Sequence, residues 1–448
     1  MNQAPARSGR VSTWLIAVLV LAFAGLAGYQ SWHRGRAQAD PELLHALEHE
    51  ALNTADVPLG QPGDWPQWRG PRRDGIASET KLLTQWPENG PRMLWKAESG
   101  SGFSSMAVAD GRLFTLVRRG ETEIVLCLDA ETGSEKLRHT YPCKFNNQYG
   151  AGGPRSTPTV DGDRVYTVGA AGILHCLSVE TGSVLWAHDL LNEFKASNLQ
   201  WGVSFSPLVE GNLVFTMPGG PEGNSLAAFD KRDGRLVWQS LDDPAGYASP
   251  VGMTVAGTRH IVFFTGKNLV GVAPQDGKQL WSYPWATDHC CNIATPIVRG
   301  EYVFIASGYG KGCALLKVVQ EGGRFEAKCV YAHKKLRSQL SSSVLVGEHI
   351  FGFDEQAFSC LDFRTGKVVW TERRAFGRGM VLAVGDKLVV LGESGELAVL
   401  EAAASGFHRL SAFRFSTQAQ CWAAPALARN RLYVRDDDKI VCYDVAVP

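Results

Sequence analysis

The sequence predicts an all-β protein, an eight-bladed β-propeller of four-stranded antiparallel blades. One recurring hairpin, its spacing and a small-residue strand ahead of each copy predict it. The clearest copy runs from Ile173 to Leu190, where two alternating strands flank a turn at Glu180-Thr181-Gly182 and the second strand carries Trp186. Period-2 alternation on both sides of a glycine-containing turn marks a hairpin. The same internal order returns at Asp129 with Gly133, Asp230 with Gly234 and Trp238, Gly277 with Trp281, and Asp362 with Gly366 and Trp370. Weaker copies carry Gly322-Gly323 and Gly406, and Val441 to Asp444 is a final half-copy. Measured from Gly133 to Gly406, the turn glycines recur every 40 to 52 residues. That is the repeat length of a propeller blade built from short strands.

Each hairpin has a strand pair upstream, and the first member opens on small polar residues or proline before turning apolar. Ser156-Thr157-Pro158, Phe205-Ser206-Pro207, Ala248-Ser249-Pro250 and Ala294-Thr295-Pro296 show the pattern best. Phe103 to Met106, Ser341 to Val344, Gly379 to Leu382 and Ala423 to Leu427 complete a set of eight. Small residues suit the innermost strand, where blades crowd the axis. The last repeat lacks an outer strand, whereas Pro91 to Ala97 stands alone ahead of the first and carries Trp95 where the outer strands carry tryptophan. This segment is expected to complete blade eight and close the ring, which removes free sheet edges. The repeated tryptophans read as packing between blades.

Taken from the N-terminus, residues 1–39 contain a polar start with Arg7 and Arg10, an apolar run from Val11 to Tyr29, and Arg34 and Arg36. This is a membrane anchor or a signal peptide: the run is near the short end for spanning a bilayer, and Ala37-Gln38-Ala39 resembles a cleavage site. Either reading places the protein outside the cytoplasm, in the periplasm or its equivalent, anchored to the inner membrane or secreted after cleavage. Residues 40–63 read as a tether, helical around Pro41 to Leu52. Residues 64–90 open with Asp64-Trp65-Pro66-Gln67-Trp68-Arg69-Gly70-Pro71, too much apolar surface to leave in water, and are expected to pack on the propeller face or rim. Residues 91–448 form the propeller, expected to be monomeric.

Composition fits a large core: 448 residues, 45% hydrophobic, 48 glycines and zero formal net charge. Neutrality and the lack of long basic runs argue against a nucleic-acid partner. Of ten cysteines, Cys127, Cys176, Cys360 and Cys442 occupy one equivalent strand position, where cysteine acts as a small hydrophobe. Cys290-Cys291 follows Asp288-His289 in a loop just ahead of an inner strand. It reads as two ordinary thiols, a vicinal disulfide, or a metal or redox site using His289. No Cys-x-x-Cys pair supports zinc.

The repeat of strand, Asp, x-Thr-Gly, strand and Trp resembles the PQQ-like, quinoprotein-type repeat over roughly residues 91–448. That repeat occurs in eight-bladed quinoprotein alcohol dehydrogenases and in a non-enzymatic outer-membrane assembly lipoprotein. The N-terminal segment, Trp65 to Pro71 and Gly308 to Gly312 also resemble the anchored propellers common in planctomycete-type bacteria. The resemblance implies a WD-like blade geometry and two functional classes. In the dehydrogenases a quinone and calcium sit on the axis, with adjacent cysteines against one quinone face and a tryptophan against the other. Cys290 and Cys291, with Trp201 or Trp422, are the residues of this chain that match those places. The catalytic Asp and Asn have no counterpart at matching positions, and repeats of 40 to 52 residues leave little room for the loops that wall the enzyme pocket.

Loops leading into the inner strands converge on the axis, so any site belongs there. They bring Arg155, Trp201, Tyr247 and His289, then Asn292, Arg337, Arg378 and Trp422. Tyr309, Lys311 and Asp354-Glu355 lie in loops after second strands, which either join this cluster or sit on the opposite face. Arginines and aromatics together suit an anionic ligand, a carboxylate or an acidic peptide, and the same residues serve equally to plug the channel. The expected function is a non-catalytic, membrane-associated scaffold that binds a protein or small anionic ligand, with no cofactor. A dehydrogenase dependent on pyrroloquinoline quinone and calcium is the alternative.

Overall fold

The computed structural model describes Leu47, residues 60–145 and residues 152–448. The chain divides into two units, residues 1–39 and 40–448, and every described residue belongs to the second. The apolar run, the cleavage site and most of the tether lie outside the described residues. Of the tether, Leu47 and residues 60–63 are described: Leu47 is buried beside Ile297, Tyr302 and Phe304, and Arg364 donates to its carbonyl. No helix among the described residues is long and apolar enough to cross a membrane.

Eight four-stranded antiparallel sheets follow one another as blades. Blade 1 spans residues 107–142, blade 2 159–189, blade 3 208–240 and blade 4 251–284. Blade 5 spans 297–333, blade 6 344–373, blade 7 379–414, and blade 8 combines 426–444 with the strand Met93–Glu98. That strand pairs antiparallel with Lys439–Asp444, setting Trp95 opposite Cys442. The ring closes as the sequence predicts. Arg435 adds a clasp that sequence reading missed. It is fully buried and donates to the carbonyls of Gly100, Gly102, Ser104 and Leu116, so it ties blade 8 to blade 1.

The repeat motif has a physical role at each of its positions. Asp129 accepts from the amides of Glu131 and Thr132 and from the Thr132 hydroxyl, at 3.0, 2.9 and 3.1 Å. The aspartate thus holds the turn from within. Gly133 sits at φ 73°, in the left-handed region, and a Cβ there would lie 2.5 Å from the Trp95 ring. Trp95 belongs to the preceding blade and donates to Ala130 O at 3.1 Å. Trp186, Trp238 and Trp370 repeat the contact, donating to Lys231 O, Pro274 O and Ala403 O at 3.2, 2.8 and 2.9 Å. The tryptophan is therefore a latch between blades. Cys127, Cys176, Cys360 and Cys442 are buried, as their alternation implies.

Candidate functional site

The site is built on a segment that fills the axis. Trp65 forms a bridge with Val108 of blade 1, and Pro66 O accepts from Val160 N of blade 2 at 2.8 Å. Arg73 donates to Ser206 O and Pro207 O ahead of blade 3 and to Pro250 O ahead of blade 4, at 3.0, 2.9 and 3.0 Å. Trp68 Nε1 donates to Thr295 Oγ1 ahead of blade 5 at 2.8 Å. Arg69 donates to Ser342 O and Ser343 O ahead of blade 6, and the backbone at Gly75 and Ala77 bonds Ala383 of blade 7. Arg429 of blade 8 donates to Asp64 at 3.0 Å. Only a segment on the axis reaches all eight blades. Residues 64–77 thus enter the channel, a deeper position than the face or rim expected from sequence. Arg69 and Arg73 are buried, and burial pushes their guanidinium pKa values down to about 10 and about 9. Their donors meet inward-facing carbonyls, which would otherwise lack partners.

Above this plug lies a cup of about 340 Å³ with Trp68 in its lining. Six residues expected from sequence line it: Arg155, Trp201, Tyr247, Tyr309, Arg378 and Trp422. Phe103, Gln339 and Met380 join them without having been singled out, although Phe103 opens one of the eight inner-strand motifs. Two aromatic pairs form the walls. Phe103 and Trp422 have centroids 5.1 Å apart, and Trp201 and Tyr247 5.9 Å.

The other six expected residues have local work. Asn292 is buried and saturated: its Nδ2 donates to Thr265 O and Trp285 O at 2.7 and 2.9 Å, and its Oδ1 accepts from Thr287 and Ser307. His289 sits edge-on to Trp201 with a left-handed backbone at φ 55°. Cys290 and Cys291 are free thiols, and burial pushes the Cys291 pKa up to about 11. Neither cysteine belongs to the cup lining. The Lys311 ammonium lies 4.7 Å from the Trp285 ring centre. Arg337 pairs with Asp354 at 2.6 Å and Glu355 at 3.3 Å.

The electrostatics are narrower than a basic opening. Arg378 is held by Gln339 Oε1 at 2.8 Å and Glu393 at 3.7 Å. Arg155 has no carboxylate partner among the described residues; it stacks 5.2 Å from the Phe103 ring centre and donates to Gly153 O at 2.9 Å. Burial lowers its pKa to about 10. Two further polar atoms of the lining, Tyr247 Oη and Trp422 Nε1, are buried without a hydrogen-bond partner. Burial raises the Tyr247 phenol pKa. Among the described residues, no group of three or more His, Cys, Asp or Glu side chains is placed to hold a metal ion.

Comparison with known proteins agrees with this architecture. The family model described as outer membrane protein assembly factor BamB matches residues 144–372 and 354–445. No curated protein matches the sequence. Among solved structures, BamB from Moraxella catarrhalis superposes with a TM-score of 0.58 at 16% identity, covering 79% of this chain and 99% of that one. The quinohemoprotein alcohol dehydrogenase ADHIIG from Pseudomonas putida HK5 gives 0.57 at 12% identity, covering 87% and 83%. The computationally designed Ika8 protein gives 0.56 at 12% identity, covering 79% and 100%. At these identities the structural likeness carries the fold alone.

Proposed function

The chain belongs to the family described as outer membrane protein assembly factor BamB, and on that premise we propose that it is a non-catalytic binding propeller. It works outside the cytoplasm, held at a membrane by residues 1–39, and presents its axial face to a protein or a small anionic ligand. The observation that carries this reading is the plugged axis: residues 64–77 cross the channel and floor an aromatic cup with no carboxylate in its lining.

That lining bears on the dehydrogenase alternative. Calcium takes six to eight oxygen ligands, with carboxylates foremost. The cup offers no Asp or Glu, and Asn292 is spent on Thr265, Trp285, Thr287 and Ser307. The adjacent cysteines stand outside the lining as separate thiols. The residues present do not fit a calcium–quinone pair.

The test is an anaerobic titration of the detergent-solubilised full chain with pyrroloquinoline quinone, with and without calcium, followed by absorbance and thermal stability. No saturable binding is expected. One-to-one binding that needs calcium and disappears in a Cys290→Ser, Cys291→Ser variant would restore the dehydrogenase.

A further inference from the structure

We infer that the axial cup is a metal-independent site for a small aromatic carboxylate, an inference that rests on reading the chain as a binding propeller. Most polar atoms of the lining are already engaged. Ser204 Oγ donates to Gly202 O, Ser249 Oγ accepts from Ser206 N, and Ser342 Oγ accepts from Thr295 N. Gln339 Oε1 accepts from Arg378, and Trp68 Nε1 is bound to Thr295.

The buried atoms of the lining left without a partner can all donate. Trp422 Nε1 can only donate, Tyr247 Oη has no acceptor for its proton, and Arg155 spends one N–H on Gly153 O. Buried donors without partners are costly, so a ligand that supplies acceptors there gains their full interaction. Arg155 also carries a charge with no carboxylate partner among the described residues. A neutral carbonyl would satisfy an N–H or O–H and leave that charge uncompensated, whereas a carboxylate answers both needs.

The walls specify the rest of the ligand. Arg155 stacks on Phe103, which packs on Trp422, while Tyr247 packs on Trp201. A flat apolar body fits between such rings, and Met380, Leu340 and Ile293 extend the apolar lining. A volume of about 340 Å³ lies at the small end of ligand pockets, room for a one- or two-ring compound.

The probe is 2-naphthoate, titrated into the full chain by calorimetry in the presence of EDTA, with the neutral isostere 2-naphthamide as control. Naphthoate is expected to bind one-to-one below about 1 mM, with naphthamide roughly tenfold weaker or more. Tyr247→Phe keeps its ring and Trp422→Phe keeps a smaller one; each is expected to weaken naphthoate several-fold, Tyr247→Phe without altering the melting temperature of the unliganded protein and Trp422→Phe with at most a small loss from its contact with Phe103. Arg155→Gln is expected to abolish the preference for naphthoate over naphthamide. Equal binding of the two compounds, wild-type affinity in both aromatic variants, or no saturation by naphthoate would each overturn the inference. If naphthoate fails and the calcium–quinone titration is also negative, only this inference falls. A positive calcium–quinone titration would overturn the binding-propeller reading with it.

Discussion

His260 is fully buried in blade 4 with its ring edge-on to Phe325, centroids 4.5 Å apart. Trp281 Nε1 donates to its Nδ1 at 2.8 Å, which leaves the ring proton on Nε2 and makes the neutral tautomer the one that fits. Protonating Nδ1 would set two N–H groups against each other in a dry site. Burial first, then the neighbouring Arg259 charge, lowers its pKa from 6.5 to about 4. Between those values the unfolded chain binds the extra proton, so this contribution is present above pH 6.5 and lost as pH falls towards 4. His175, also pushed down to about 4, acts in the same direction. Glu123, whose carboxyl burial raises, acts in the opposite one. Comparing variants therefore isolates the residue. His260→Phe should cost about 1–3 kcal/mol at pH 7, because the Trp281 N–H loses its acceptor, and should melt with a shallower acid slope than the parent. Parallel pH profiles for the two proteins would refute the assignment. Sequence grouped Trp281 with the other latch tryptophans and could not see this difference. The last two strands of blade 5, Gly312–Glu321 and Arg324–His333, are each ten residues long. A Cβ at Gly322 or Gly323 would meet nothing within 4 Å, so no tryptophan packs on this turn as Trp238 does on Gly277, and Trp281 bonds within its own blade.

At the scale of the element, the strand Met93–Glu98 shows why closure was legible in advance. An eighth repeat without an outer strand and a stray Trp95 ahead of the first repeat are complementary defects, and pairing them satisfies both. Trp95 is buried against Gly133 and Tyr433, with its N–H on Ala130 O. Trp95→Ala removes that latch at the seam where the chain ends meet and should destabilise the protein by about 3–5 kcal/mol. Trp95→Phe should lose less, since the ring is kept and only the hydrogen bond and part of the area go. Equal urea midpoints for the alanine variant and the parent would mean that the seam is held elsewhere, with Arg435 the first candidate. The plug was only half legible. Its tryptophans and arginines announced burial, but the partners of Arg69 and Arg73 are backbone carbonyls, which leave no trace in the identities of the residues that present them. The same reason hid the saturation of Asn292. Arg155, Trp201, Tyr247 and Trp422 were found because their place in the repeat fixed them at the axis, whatever they bond.

For the whole molecule, closure and plugging are separate constraints. The outer ring is held by the pairing of Met93–Glu98 with Lys439–Asp444 and by latches between neighbouring blades. The inner ring is held by residues 64–77, which bond to blades 1, 2, 7 and 8 and to the loops that lead into blades 3 to 6. Removing residues 1–90 leaves the first set intact and deletes the second. The carbonyls of Ser206, Pro207, Pro250, Ser342 and Ser343 then lose the donors that Arg69 and Arg73 supply. Small inner-strand residues cannot fill the space left. The truncated chain should keep the far-ultraviolet signature of a β-protein but melt more than about 5 °C below the full chain. It should also lose any ligand affinity of the cup, because Trp68 goes with the plug. A full-length Arg69→Met, Arg73→Met variant should move in the same direction by a smaller amount, since it retains the tryptophans and the backbone bonds to Val108 and Ala383. If the truncated protein melts within about 2 °C of the parent, the blades hold the axis open unaided. The plug would then act on the cup alone, shaping its floor without carrying the stability of the ring.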